Sequence, residues 1–406
     1  MFLPALGYLA PMTDSSETPA DSRRDVIWLK ISAIFILTRI ILLLLSVFFM
    51  RAYPMIEGEQ YAHLPNTGPA LDMWYRWDAG YYTAIAVYGY GWQYISDITH
   101  DMAFFPLYPY AMQGTMKGIG AVSSAECVWP PQARVCATAS GLIISNIALW
   151  LSTFLLYDLA RCYRNKSVAL RAVILLLITP GVIFFSGVYT ESLFLLLCLL
   201  TFWFVERDRF LLAALFAGLA CLTRPVGLAL YPVLLGYAWR SPNHRWRRCA
   251  AAQIPVLCFG MYILSISVTV GDLGGYFDGY RVLWNREMSL WPYEVFAGYF
   301  RGRWSHIPGW YLVWSDLLAT LLGFTLAILI WRRHKPWGVF ALLAVYMPVT
   351  SGTLFSMPRY VMVIFPFYIL CADWATTQRR QIVLYGIFAG LAILFTYQFV
   401  TWHWIA

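Results

Sequence analysis

The sequence predicts an all-α polytopic membrane protein of about eleven transmembrane helices, and three observations predict it. The 406 residues are 60% hydrophobic and only 12% charged, roughly half the charge of an ordinary soluble domain. Mean hydropathy is +0.61. Apolar runs near the ~20 residues that a bilayer core requires recur along the chain and alternate with short basic loops. The net charge of +8 therefore belongs to loops between spans, and it makes no case for a nucleic-acid partner.

Residues 1–25, with Asp14, Ser15, Ser16, Glu17 and Thr18, read as a flexible cytoplasmic tail. The first span, 26–50, is long enough to stay in the membrane rather than leave as a signal peptide. Arg23, Arg24 and Lys30 at its start place the amino terminus in the cytoplasm. Further spans read at 136–158, 168–187, 190–205, 210–224, 225–239, 250–270, 308–331, 337–355, 359–375 and 381–402. The fifth and sixth are short, with Pro225 breaking between them.

Every even-numbered exit is basic. It carries Arg161, Arg164, Lys166 and Arg171, then Arg207 and Arg209, then Arg240, Arg245, Arg247 and Arg248, then Arg332, Arg333 and Lys335, then Arg379 and Arg380. An odd count puts the carboxyl end outside, where Trp402-His403-Trp404 suits an interfacial belt. The chain reads as one membrane domain, 1–406, with no internal repeat.

The opposite face has two long loops, 51–135 and 271–307. They hold Glu57, Glu59, Asp72, Asp78, Asp97, Asp101 and Glu126, and then Asp272, Asp278, Glu287 and Glu294. Their Trp, Tyr and Gly content argues for packed interfacial helices rather than disorder. In Met73-Trp74-Tyr75-Arg76-Trp77-Asp78-Ala79-Gly80-Tyr81-Tyr82, helical spacing lines Trp74, Trp77, Tyr81, Ile85 and Tyr88 into one stripe. Such a helix would lie aromatic face down on the membrane and hold Asp78 at the water–lipid boundary. It suits an interfacial anchor and an active site equally.

Cys127 and Cys136, nine apart around Pro130-Pro131, could pair in an oxidising compartment or stay as thiols. Asp97, His100 and Asp101 share a helical face and could bind a cation, although a polar cap before a span fits better. No Cys/His spacing reads as a zinc site.

Three further features fall on the face of Asp78. Ala103-Phe104-Phe105-Pro106-Leu107-Tyr108-Pro109 breaks a helix twice and could line a lipid groove. Thr179-Pro180-Gly181 and Phe185-Ser186-Gly187-Val188-Tyr189-Thr190-Glu191-Ser192 form a polar hairpin with Glu191 at a span end. Arg224-Pro225 and Met357-Pro358-Arg359-Tyr360 put arginines at span rims. An ionisable group at span depth costs on the order of 2.5–3.5 kcal/mol, which makes it a functional candidate. Guanidinium geometry suits phosphate oxygens, so Arg359 and Arg224 are candidate phosphate ligands. Arg39, inside the first span, fits a structural role as well as a functional one. Together these suit transfer of a group from a lipid-linked phosphate to a hydroxyl, with a carboxylate taking the hydroxyl proton.

Arg76-Trp77-Asp78-xxx-Tyr82, Phe104-Phe105-Pro106-Leu107-Tyr108-Pro109, Thr179-Pro180 with Tyr189-Thr190-Glu191-Ser192-Leu193-Phe194, and Pro358-Arg359-Tyr360 resemble the PIG-V family, in the family's order from about 74 to 370. The resemblance implies a GT-C-type membrane glycosyltransferase with Asp78 as general base. It also implies a polyprenyl-phosphate mannose donor, inversion, and a lipid or glycan acceptor. Arg76, Trp77, Tyr82, Phe105, Pro106, Tyr108, Tyr189, Glu191 and Tyr360 are then the motif residues expected along the substrate groove. Neither a cofactor nor a divalent metal is expected. The compact loops suggest a bacterial relative in the inner membrane, with its site on the outer face. Alternatives are a flippase of a lipid-linked saccharide, a GT-C enzyme using another polyprenyl-phosphate sugar, one acting on protein or lipopolysaccharide lipid, and a non-catalytic subunit.

Overall fold

The computed structural model describes residues 20–56, 63–64, 67–91, 94–95, 98–123, 130–272, 274–284, 288–301, 310–403 and 405. Asp97, Cys127, Glu57, Glu59, Glu126, Glu287, Trp404 and most of the expected tail lie outside them. Helix α1 (Ala20–Ala52) is followed in the first long loop by α2 (Pro69–Asp72) and α3 (Ala79–Tyr88). A two-residue antiparallel ladder, β1 (Tyr94–Ile95) with β2 (Ile98–Thr99), precedes α4 (Leu107–Ser123). Then come α5 (Pro130–Tyr163), α6 (Lys166–Leu177), α7 (Val182–Ser186), α8 (Glu191–Glu206) and α9 (Phe210–Cys221). A 3-10 turn at Pro225–Leu230 leads into α10 (Tyr231–Arg240), α11 (Arg245–Ala251) and α12 (Ile254–Val270). The second long loop holds α13 (Gly275–Trp284) and α14 (Tyr293–Phe300). Helices α15 (Trp310–Arg333), α16 (Lys335–Val349), α17 (Met357–Met362), α18 (Pro366–Trp374) and α19 (Gln378–Val400) follow.

Among the described residues, each of the eleven stretches read as spans is helical over most of its length. Val26–Ala52, Gln132–Tyr163, Arg245–Val270, Trp314–Arg333 and Gln378–Val400 are each long and apolar enough to cross a membrane. The other six stretches fall on shorter helices interrupted where the sequence places its breakers. A proline has no N–H to donate and clashes with the preceding turn. Accordingly Pro180 separates α6 from α7, Pro225 lies between α9 and α10, and Pro366 opens α18.

The protein is an integral membrane protein, and its burial pattern is the one a bilayer demands. Ile36, Ile40 and Leu44 on α1, Leu257, Met261 and Leu264 on α12, Leu318 and Leu322 on α15, and Ile382 and Ile387 on α19 are all exposed. Lipid is the solvent that would cover such faces. Helices α6, α8 and α16 instead bury one face in the main core. Helix α5 packs along α8, α8 along α9, α6 along α18, and α15 along α16. The basic exits converge at one end. There Arg207 pairs with Asp158 at 2.5 Å, and Arg164 and Arg333 both reach Asp373, at 3.0 and 2.6 Å. Helix α8, 16 residues long, carries the chain about 24 Å from that end to Glu191.

Helix α1 begins at Ala20, so residues 20–25 belong to it and not to a flexible tail. Arg39 is structural: its Nη2 donates to Leu177 O at 2.9 Å and its Nη1 to Ser186 Oγ at 2.5 Å. It thereby supplies a donor to a carbonyl of the last turn of α6, which the helix itself leaves unsatisfied.

Close approach at Gly227 fixes the 3-10 turn against the end of α9. A Cβ there would lie 2.5 Å from Cys221 N and 2.6 Å from the Ala220 carbonyl carbon. Gly227→Val is expected to destabilise by about 1–3 kcal/mol, the usual cost of overpacking. A lowered unfolding midpoint in detergent checks it; an unchanged midpoint contradicts the packing.

Candidate active site

Four charged side chains from distant parts of the sequence meet at the end of the bundle opposite the basic loops. Arg359 is their centre. Its Nη1 donates to Asp78 Oδ2 at 2.8 Å and its Nε to Glu191 Oε1 at 2.9 Å, with Nη2 also 2.9 Å from that oxygen. Arg224 Nη1 stands 2.9 Å from the same Glu191 oxygen, in ion-pair contact without an aligned N–H. The result is a charge chain Asp78–Arg359–Glu191–Arg224 with two carboxylates and two guanidiniums. Glu191 Oε2 makes no hydrogen bond among the described residues.

Local sequence places each member. Asp78 stands at the cap position of α3 but makes no capping hydrogen bond, so its carboxylate stays available to Arg359. Glu191 opens α8, where the helix dipole favours a negative charge. Arg224 precedes a proline, which disfavours helical backbone; it is extended at φ −154°, ψ 145°. Arg359 lies in α17, whose first turn contains Pro358 and whose Met357 N–H donates to the buried Asp316 carboxylate at 3.2 Å. The Arg359 guanidinium also lies over the rings of Phe184 and Tyr189, at 4.7 and 4.9 Å, and Arg224 lies over Tyr360 at 4.8 Å. Exposure separates the two acids: the Asp78 side chain is 19% exposed and that of Glu191 0%. Of the two acids, Asp78 is the one whose carboxylate is open to the outside.

Aromatic residues wall this centre. Tyr81 stacks on Phe104 at 4.5 Å, and Tyr82 meets Phe104 edge-on and approaches Thr190 Oγ1 at 3.5 Å. Tyr189 donates its hydroxyl to Arg76 O at 2.8 Å, tying the hairpin before α8 to the loop that carries Asp78. Pro106 is half-buried before α4, and the Leu107 N–H donates to Leu222 O at 2.9 Å, joining that motif to the segment that carries Arg224. Tyr81 and Phe104 are named in the sequence only as members of the aromatic stripe and of the Phe-Phe-Pro motif, not among the residues expected along the groove.

Several sequence expectations need correction. No single helix carries the stripe from Trp74 to Tyr88: α2 ends at Asp72, α3 starts at Ala79, and Trp77 between them has φ +52°. Nor does the stripe present one face to lipid: Trp74 and Ile85 are buried, Trp77 and Tyr81 pack against the core, and of the five only Tyr88 is exposed. Arg76, expected along the groove, sits in an internal ion pair with Asp72. It is fully buried, its Nη2 bonded to Asp72 Oδ2 at 2.9 Å and its Nη1 to Asp72 O at 2.7 Å. Tyr108 is likewise buried, bonded to Ser145 Oγ at 2.8 Å and donating to Gly141 O at 3.0 Å. Phe105 turns away into a separate cluster with Met102, Tyr262 and Tyr276. Trp402 is buried, not interfacial. Asp101 is buried, with Oδ2 accepting from Gly91 N at 2.8 Å. Cys136 is disulfide-bonded, one of the two states the sequence left open. Among the described residues no group of His, Cys, Asp and Glu is placed to hold a metal ion.

Asp72, named in the sequence only as one acid of the first long loop, is the partner of Arg76. Burial works to raise its carboxyl pKa, but Arg76, His63 and the Leu64 N–H oppose this and hold it below the usual value.

Fold and site together define a polytopic membrane protein with a buried arginine–carboxylate centre at one end of its bundle. The family model described as Mannosyltransferase (PIG-V) matches residues 29–236, 208 of 406 residues, and the chain belongs to that family. Asp78, Glu191 and Arg224 fall inside the match and Arg359 outside it. The mouse GPI alpha-1,6-mannosyltransferase 2 is 30% identical over 168 residues, covering 39% of this chain and 30% of its own length. A GPI mannosyltransferase 2 of Cryptococcus neoformans is 27% identical over 210 residues, 51% of this chain and 46% of its own. The aligned region thus spans less than half the length of these relatives. Among solved structures, ArnT of Cupriavidus metallidurans bound to undecaprenyl phosphate superposes with a TM-score of 0.47 at 13% identity, over 87% of this chain and 62% of its own. An Archaeoglobus fulgidus oligosaccharyltransferase gives a TM-score of 0.44 at 13% identity, over 90% and 55%.

Proposed function

We propose that the protein is a GT-C-type glycosyltransferase that moves mannose from a polyprenyl-phosphate donor to a hydroxyl of a lipid or glycan acceptor. The reaction takes place at the membrane face opposite the basic loops. The observation that carries this reading is the Asp78–Arg359–Glu191–Arg224 chain, which sets one reachable carboxylate beside two guanidiniums. Asp78 Oδ2 is engaged by Arg359, which leaves Oδ1 to accept the proton of the acceptor hydroxyl. The acceptor oxygen forms its bond to the anomeric carbon as the bond from that carbon to the phosphate oxygen breaks. The electron pair leaves with the phosphate, whose added charge Arg359 and Arg224 neutralise. Attack from the face opposite the leaving group turns a β-linked donor into an α-linked product.

The two guanidiniums supply the positive charge at the phosphate, so no divalent ion is assigned a step. Purified protein, radiolabelled polyprenyl-phosphate mannose and a membrane-lipid extract test the proposal. Label is expected to move into an acceptor, and to do so in the presence of chelator. A protein that neither transfers nor hydrolyses the donor, yet moves a fluorescent lipid analogue between leaflets, would be a flippase. Transfer from another polyprenyl-phosphate sugar in preference to mannose would reassign the donor.

A further inference from the structure

The turn after α19 reaches back to the loop that carries Asp78. Ile56 N donates to Thr401 O at 3.1 Å, and Thr401 is fully buried. The next residue, Trp402, places its ring 4.7 Å from the Arg76 guanidinium carbon and edge-on to Trp77 at 5.2 Å. It also lies 6.2 Å from the His63 ring. Asp72 also bonds the Arg76 guanidinium, and the Arg76 carbonyl receives the Tyr189 hydroxyl. Two residues beyond Arg76 stands Asp78.

Backbone conformation singles out the same pair of tryptophans. Trp77 has φ +52° and Trp402 φ +66°, both left-handed and neither glycine. Bulky residues hold that region only where their surroundings over-determine it, and such sites cluster where geometry serves function. Here each ring packs against the other, so each constrains the backbone that presents its neighbour. The interfacial belt expected of Trp402 would leave this contact unmade.

We infer that Trp402 is a positioning residue for Asp78, acting through Arg76 and Trp77 to fix where the loop sets its carboxylate. This rests on the reading of Asp78 as base. Misplacing a catalytic group by about 1 Å can cost on the order of 100-fold in rate, so a partial loosening should be visible in turnover. The ring, not its volume, is the active feature, because a guanidinium is drawn to a π face.

Trp402→Leu and Trp402→Phe both give up volume, but only Trp402→Phe keeps a ring, so the difference between them reports the ring. In the donor–acceptor transfer assay, Trp402→Leu is expected to lower kcat by on the order of 10-fold, with donor KM within about twofold. Trp402→Phe should stay within about threefold of wild type. In an Asp78→Asn background, Trp402→Leu should add no further loss. Hydrogen–deuterium exchange of peptides covering residues 69–82 should rise in Trp402→Leu and not in Trp402→Phe, and it reads the loop without reference to turnover. Unchanged exchange, equal losses for Leu and Phe, or a further loss in the Asp78→Asn background would each overturn the positioning role. Full transfer by Asp78→Asn alone would remove the base reading, and exchange would then decide whether Trp402 positions the loop.

Discussion

Asp78→Asn is expected to lower transfer at least ~100-fold while leaving donor binding intact or tighter. The size follows from the usual contribution of a positioned general base. The direction of the binding effect follows from the ion pairs. Arg359 divides its donors between Asp78 and Glu191, and an incoming phosphate must compete with both. Asparagine keeps the shape of the side chain and removes its charge, so Arg359 gives up less when it turns to the phosphate. If Asp78 were only a counter-ion for Arg359, the same substitution would change KM and leave kcat near wild type. Measuring kcat and donor KM separately distinguishes the two roles. Azide provides a second test, because an anionic nucleophile has no proton to lose. With azide, Asp78→Asn should regain turnover as a mannosyl azide, and wild type should gain little. Unaltered transfer by Asp78→Asn would remove Asp78 from the chemistry.

The four charged residues of the centre were legible in the sequence one at a time, Asp78 through the aromatic residues around it, and Glu191, Arg224 and Arg359 through their places at span ends. An ionisable group at the end of an apolar run is costly, so it draws attention wherever it stands. Their assembly was not legible. Arg359 lies 281 residues from Asp78 and 168 from Glu191, and no periodicity links positions so far apart. Span positions were legible because hydropathy reads them directly, and the helix breaks because proline and glycine act locally.

The stripe from Trp74 to Tyr88 failed for a related reason. Helical spacing counts residues and cannot sense a left-handed Trp77 in the middle of the count. Arg76 was misplaced through its neighbours in the Arg-Trp-Asp motif, although Asp72 four residues earlier already offered an opposite charge at pairing distance. Trp402 looked interfacial because aromatic residues at a span end usually are. It is buried against a loop more than 300 residues upstream, the one that carries Arg76.

Glu191→Gln is expected to be the most destabilising change in the centre. Glu191 is fully buried and holds Arg224 and Arg359 on one oxygen. With all four groups ionised the cluster balances, two negative charges against two positive. Glutamine leaves two buried guanidiniums close together with only Asp78 to offset them. Breaking a buried pair in this way typically costs about 3–5 kcal/mol, because the remaining charge keeps its desolvation penalty and loses its partner. Glu191→Asp keeps the charge and should lose less. A lipid phosphate offers the missing charge from outside. Polyprenyl phosphate should therefore raise the unfolding midpoint of Glu191→Gln more than that of wild type, on the order of 2.7 kcal/mol of added stability at a hundredfold excess over Kd. Unfolding in detergent, with and without polyprenyl phosphate, measures both effects. A Glu191→Gln variant as stable as wild type would show that the carboxylate is not the counter-ion the geometry makes it. Loss of stability without protection by the lipid would keep that role and deny that the two arginines face the donor phosphate.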